Sequence, residues 1–265
     1  MPKYFDGRAY AQTKEEVLKK RVQSLSSRGI IPFLVSIIVG DNFGSILYQN
    51  LKKKAAERVG AQLDIISLSS SLGLRGVQEE IEKFNFNQTV HGIMIQLPLP
   101  ENFSKKDRDD LINTIKREKD VDGLRDDSQF DTPVVKAVVD AIPVKDFSLQ
   151  VAVIGAHGFE GKKIVSKLKR MGFEKIIELG NPDEDLDELL PDADVIISAT
   201  GKPDLVKPEM VKNGAVLIDV GSPKGDIAKD CYGKASFISP VPGGIGPATI
   251  VNLIENLVTA SEGVN

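Results

Sequence analysis

The sequence predicts a two-domain α/β protein: a parallel α/β domain followed by a Rossmann-like domain. Three observations carry this reading. Apolar, β-branched runs alternate with amphipathic stretches between residues 33 and 117. A second series opens at residue 150, where an apolar run passes directly into a glycine-rich turn at 155–161. Between the two series, residues 125–150 gather polar and proline-containing segments, where a domain boundary belongs.

In the first series, residues 13–28 predict an amphipathic helix. Thr13 and Glu16 match a capping box, and Val17, Val22 and Leu25 fall near one stripe. Residues 33–39, FLVSIIV, read as a buried strand, and the stretch 41–56 as the start of a helix. A strand at 63–68 and a helix at 74–84 follow, the helix turning Val77 and Ile81 inward. The strand at 90–96 ends in L-P-L-P, because proline continues neither ladder nor helix. A helix at 104–117 carries Leu111, Ile112 and Ile115. Three strand–helix repeats specify a parallel sheet with covered faces.

The second series follows a connecting helix at 133–142. It reads as a strand at 150–154, a helix at 162–171, a strand at 175–179 and a short acidic helix at 185–190. Strands at 194–199 and 215–220 end in T-G-K-P and G-S-P-K-G, and a last helix runs to about 260. The expected domains are 1–138 and 139–247, with a terminal helix at 248–265.

Composition narrows the function. The net charge of −4 argues against a general nucleic-acid binder. One cysteine, Cys231, excludes an internal disulfide, and two histidines, His91 and His157, without a surrounding acidic or thiol cluster argue against a metal site. No apolar run approaches the roughly 20 residues that span a bilayer, and the N-terminus lacks a signal-peptide core. A soluble, cytoplasmic protein that does not act at a membrane is expected.

Two stretches carry candidate chemistry. Ser45, Tyr48 and Lys52 are spaced i, i+3, i+7 and share one helical face. Such a face can wall a polar pocket. Spacing alone favours a solvated surface, since lysines usually coat surfaces. The second stretch is the glycine turn, where Gly155, Gly158 and Gly161 leave a strand and open a helix. There, backbone N–H groups can meet a pyrophosphate, although a tight turn alone also explains the glycines. Glu178, about 20 residues on, stands where a carboxylate can bind a ribose hydroxyl, and Thr200 and Gly201 follow a later strand end.

Five segments together resemble the bifunctional methylenetetrahydrofolate dehydrogenase/methenyltetrahydrofolate cyclohydrolase family. They are Ser45, Tyr48 and Lys52 in S-x-x-Y-x-x-x-K; G-I-M-I-Q-L-P-L-P at 92–100; K-D-V-D-G at 119–123; A-D-V-I-I-S-A-T-G-K-P at 193–203; and P-V-P-G-G-I-G-P-A-T at 240–249. The resemblance implies oxidation of 5,10-methylenetetrahydrofolate by an NAD(P) cofactor and hydrolysis of the product to 10-formyltetrahydrofolate. It implies Lys52 as the central catalytic side chain, Gln96 beside it, Tyr48 stacked on the folate and Asp122 on the pterin edge. Ser45, Leu97, Gly246 and Pro247 would complete the folate site. It further implies an active site in the cleft between the two domains, a terminal helix that returns to the first domain, and a homodimer.

The departures concern the cofactor. The family's G-R-S-x-x-V-G-x-P reads G-A-H-G-F-E-G-K-K here, so Ala156 replaces an arginine and His157 a serine. With Glu178 near a strand end, local chemistry leans to NAD, while the family leans to NADP. The loop after Asp122 is short and places Asp131 where the family has cysteine. Another NAD(P)-dependent α/β dehydrogenase, or a member that has lost one activity, are the competing readings.

Overall fold

The computed structural model describes residues 2–40, 43–143, 146–180 and 186–263, with the side chains of 43–47 outside that description. In chain order the elements begin with β1 (Lys3–Tyr4), α1 (Gly7–Ser26), β2 (Phe33–Val39), α2 (Phe43–Val59), β3 (Gln62–Leu68), α3 (Gly73–Phe86), β4 (Gly92–Ile95), α4 (Lys105–Thr114) and α5 (Pro133–Ala141). They continue with β5 (Gln150–Ile154), α6 (Phe159–Met171), β6 (Lys175–Leu179), α7 (Leu186–Leu189), β7 (Val195–Ser198), β8 (Val216–Asp219), β9 (Phe237–Ser239) and α8 (Ile245–Glu262).

The chain forms two compact units. One comprises Gln12–Pro133 and Ile250–Asn265. Its sheet is parallel, in the order β3-β2-β4. The central strand β2 is apolar and buried along nearly its whole length, as a parallel strand covered on both faces must be. Val35, Ile37 and Val39 on β2 pack with Val77 and Ile81 of α3 and Leu111 of α4. From α8, Asn256 donates its amide to the carbonyls of Val121 (2.9 Å) and Asp131 (3.1 Å).

The other unit comprises Met1–Ala11 and Val134–Thr249. Its sheet is parallel, in the order β1-β9-β8-β7-β5-β6. Val151, Val153, Ile197 and Ile218 from three adjacent strands pack with Ile164, Val165 and Leu168 of α6. Because β5 lies between β6 and β7, the chain leaves β5 in one direction and returns on its other side. That reversal creates a crevice at the carboxyl ends of β5 and β7.

Three expectations for the amino-terminal segment change. Helix α1 starts at Gly7, six residues early, because Asp6 caps it by accepting from the N–H groups of Arg8 and Ala9. Thr13 is therefore mid-helix and forms no cap. Val17 is exposed, and Leu18 joins Val22 and Leu25 on the buried stripe instead. Residues 1–11 cluster with the second unit, because β1 pairs with β9 and Gly7 N–H donates to Gly243 O. Strand β1 is too short, and β9 too close to the proline-rich turn, for either to register as a periodic run.

Candidate active site

Lys52 and Tyr48 lie one helical turn apart on α2, and the Lys52 ammonium sits 5.2 Å from the centre of the Tyr48 ring. Lys52 is 6% exposed. Its Nζ donates to Gln96 Oε1 at 3.0 Å and lies 3.6 Å from Met94 Sδ. No carboxylate among the described residues forms an ion pair with it. Burial pushes the Lys52 ammonium below the ordinary lysine range, and the charge of Asp122 opposes that shift. The Tyr48 phenol is pushed up to about 12, by burial first and then by Asp122.

Gln96 follows directly on β4, whose register with β2 places it at the carboxyl edge of the sheet. Its orientation is specified from three sides. Its oxygen accepts from Lys52 and from Gln49 Nε2 (2.8 Å), and its Nε2 donates to Leu97 O (2.6 Å). A flipped amide would set like groups against one another at all three contacts. Gln49 is fully buried, and its own Oε1 has no hydrogen-bond partner.

Asp122 is presented by a loop built around a second carboxylate. Asp120 is fully buried and accepts from the N–H groups of Leu124 (3.2 Å) and Arg125 (3.0 Å). Asn256 holds the carbonyl of Val121. A Cβ on Gly123 would crowd Phe130 O at 2.7 Å, and its φ is +67°, so glycine is required there. Burial pushes the Asp122 carboxyl up to about 6; Lys52 opposes the shift and Asp120 adds to it.

Tyr48, Lys52, Gln96, Leu97 and Asp122 are thus brought to one end of the three-stranded sheet. The Ser45 side chain lies outside the described residues. Gly246 and Pro247 open α8 in the other unit, and a Cβ on Gly246 would meet nothing within 4 Å. Gln49, Met94 and Asp120 were not singled out by the sequence. Gln49 shares the Ser45/Lys52 stripe at i+4 and i−3, which is the signal that could have found it.

The glycine turn lies in the other unit. Gly155 has φ +85°, and a Cβ there would lie 2.7 Å from Ala199 O. A Cβ on Gly161 would collide with the carbonyl oxygen of Gly155. Gly158 caps α6 without a side-chain acceptor. The close strand-to-helix approach and the side-chain-free cap suit a pyrophosphate at the start of α6.

Two expected cofactor contacts are placed differently. Ala156 is buried with its methyl in the core, and its N–H donates to Leu179 O at 3.0 Å, as does that of Gly155 at 2.7 Å. Its side chain therefore packs rather than faces a ligand. Glu178 is ion-paired with Lys169 of α6 at 2.5 Å, one residue short of the end of β6. The residue beyond the strand is Gly180, and the ring of exposed His157 lies against it, where a Cβ would collide. Thr200 follows β7 and lies beside Gly155, and Gly201 comes next in the chain.

Residues 5–122 match the family model for the tetrahydrofolate dehydrogenase/cyclohydrolase catalytic domain, and residues 129–264 match that for its NAD(P)-binding domain. The chain is 35% identical to the Bifunctional protein FolD of Staphylococcus carnosus, over 98% of this chain and 97% of the relative. It resembles the solved bifunctional FolD of Campylobacter jejuni with a TM-score of 0.92, at 31% identity and 99% coverage of both chains. It also resembles the Trypanosoma brucei methylenetetrahydrofolate dehydrogenase-cyclohydrolase, solved with NADP and an inhibitor, with a TM-score of 0.89 at 28% identity, over 98% and 97% of the two chains. No helix among the described residues is long and apolar enough to cross a membrane. By both of its domains the chain belongs to the tetrahydrofolate dehydrogenase/cyclohydrolase family, and it is an enzyme with that family's two activities.

Proposed function

We propose that Tyr48, Lys52, Gln96 and Asp122 are the folate-facing side chains for both reactions: oxidation of 5,10-methylenetetrahydrofolate to the methenyl cation, and hydrolysis of that cation to 10-formyltetrahydrofolate. The observation that carries this reading is a buried lysine whose hydrogen bond goes to an amide oxygen and not to a carboxylate.

Oxidation removes a hydride from the carbon bridging N5 and N10. The bound nucleotide supplies the hydride acceptor. The chain's part is to hold the bridge in place: the Tyr48 ring stacks on the planar folate, and Asp122 accepts from the N–H edge of the pterin. In hydrolysis, water adds to the methenyl carbon and loses one proton to a base; the remaining hydroxyl proton is then transferred to N5 as the carbonyl forms and the bond from carbon to N5 breaks. Lys52, driven toward its neutral form by burial, takes the first proton. Gln96 holds the amine in position through its oriented oxygen.

The nucleotide reading becomes more even than the sequence suggested. Glu178, the carboxylate that argued for NAD, is engaged by Lys169. The side chain at the end of β6 is His157, a weaker and less directional phosphate partner than arginine. With neither a fixed guanidinium nor a free carboxylate there among the described residues, both dinucleotides should serve, with kcat/KM within about tenfold of each other, a difference of about 1.4 kcal/mol. The homodimer is proposed from the resemblance, with β6 as a half-exposed edge strand. A cytoplasmic location is proposed on the same footing.

The deciding assay supplies 5,10-methylenetetrahydrofolate with NADP+ or NAD+ and follows both formation and decay of the methenyl absorbance. Formation with either nucleotide and subsequent decay are expected. No methenyl formation with either nucleotide would overturn the reading, and a preference above a hundredfold would overturn the account of Glu178.

A further inference from the structure

Asp226 sits in the G-D-I segment after β8, and no motif points to it. It is fully buried, and no lysine or arginine among the described residues pairs with it. One of its carboxyl oxygens does all the side-chain bonding. Oδ2 accepts from Ser198 Oγ (2.9 Å), Thr200 N (2.7 Å), Thr200 Oγ1 (2.9 Å) and Gly201 N (3.2 Å). Oδ1 has no partner and faces Gly221, where a Cβ would crowd it. A buried carboxylate without a cation is costly, and charge-assisted donors offset that cost. Here the donors are concentrated on the segment that leaves β7.

That segment turns through left-handed backbone at two positions. Gly201 has φ +67°, and Asp204, a non-glycine residue, has φ 55°. Left-handed backbone is uncommon at a non-glycine position, though aspartate tolerates it, and here the surroundings hold it by hydrogen bonds. The surroundings are the Asp226 segment: Asp204 N–H donates to Gly225 O, Val206 N–H to Asp226 O, and Ala228 N–H to Val206 O. A second buried carboxylate fixes the support. Asp219 accepts from the N–H groups of Gly221 (2.9 Å), Asp226 (3.0 Å) and Ile227 (2.9 Å).

The segment held this way is one lip of the crevice between β5 and β7. A Cβ on Gly155 would lie 2.7 Å from Ala199 O and 3.3 Å from Thr200 Cγ2, so the glycine turn and the Thr200 turn abut. The other side of the lip is open, since a Cβ on Gly201 would meet nothing within 4 Å.

We infer that Asp226 is a positioning residue for the dinucleotide: from beneath, it sets the Thr200–Gly201 lip at the height that the nucleotide requires, without touching it. This rests on the NAD(P)-binding reading of the domain. The two activities separate its failure from a general loss of fold, because hydrolysis of the methenyl compound transfers no hydride and consumes no nucleotide.

The test uses Asp226→Asn and Ser198→Ala in the full chain. Asparagine keeps the volume and one oxygen but removes the charge that attracts four donors. Alanine removes the buried Ser198 hydroxyl, one donor to Asp226 on the strand below the lip. Calorimetric titration with NADP+ and with NAD+ should show Kd raised about tenfold or more in Asp226→Asn, and about threefold in Ser198→Ala. The KM for the folate in the oxidation should stay within about twofold, and so should the rate of methenyl hydrolysis without nucleotide. Unchanged Kd in Asp226→Asn overturns the inference. So does a parallel loss of nucleotide binding and nucleotide-free hydrolysis in both variants, which would make Asp226 structural only. Should Asp226→Asn not fold, Ser198→Ala decides: an unchanged Kd there overturns the inference. A parent protein that binds neither nucleotide would instead refute the reading of the domain.

Discussion

The Lys52 ammonium and the Gln96 side-chain oxygen are 3.0 Å apart, and that amide supplies the lysine with a partner that carries no charge. A carboxylate in the same place would hold the amine protonated; an amide fixes its direction and leaves its protonation to burial. Gln96 can do this because Gln49 and the Leu97 carbonyl occupy its other hydrogen-bonding positions.

Lys52→Met tests that role directly. The substitution keeps an unbranched side chain in a buried position and removes the amine. Methenyl hydrolysis should fall by about 10³-fold, within the range for loss of a general acid–base group. Circular dichroism and the melting temperature should show a fold at least as stable as the parent, since a desolvated amine is gone. Hydrolysis near the parent rate would assign the proton transfer elsewhere.

Asp122 gives a pH signature. Its carboxyl, pushed up to about 6 from an ordinary 3.8, is protonated below that pH and loses its charge as an acceptor. The KM for folate should therefore rise as pH falls through about 6, and Asp122→Asn should flatten that limb at a uniformly high KM. Stability runs the other way. A folded-state pKa above the unfolded one means that the folded chain holds the proton more tightly, so stability drops as pH climbs from about 4 to 6. Melting curves across that window should show the drop in the parent and not in the variant.

Gly161→Ala should be costly in a specific place. The new methyl would collide with the Gly155 carbonyl and force the glycine turn off α6. A loss of about 1–3 kcal/mol is expected, with weakened nucleotide binding. Retention of the parent Kd by titration would show that the turn does not carry the pyrophosphate.

Cys231 should be inert. It is fully buried, and its thiol is pushed up to about 11, by burial first and then by Asp230 and Glu209. Ellman's reagent should modify the native protein ~100-fold more slowly than the unfolded chain. Fast labelling of the native protein would show that the core packing around the short 3₁₀ helix of Cys231 opens.

Much of the architecture was legible in the sequence because it follows from period and punctuation. The β-branched run of β2, the inward Val77 and Ile81 of α3, and the glycines around residue 158 each obey a local rule, and the structure follows it. The i, i+3, i+7 spacing put Tyr48 and Lys52 on one face of α2. Spacing could not say whether that face was wet or dry. Burial of Lys52 against Met94 and Gln96 depends on β4 lying beside β2, which is a contact between residues more than 40 apart.

What the tertiary structure alone decided lies in such long-range pairings. Residues 1–11 joined the second unit because β1 adds to β9, more than 230 residues away. Glu178 reads as a ribose ligand by its distance along the chain, yet Lys169 from the neighbouring helix takes its charge. Asp226 has no spacing to betray it; it is defined by donors from Ser198, Thr200 and Gly201 that converge on it after folding. By itself the sequence determined which residue types were available and which element each occupies. Folding decided which of their charges are shielded, shared or left exposed, because desolvation and hydrogen bonding depend on neighbours that are distant in the chain.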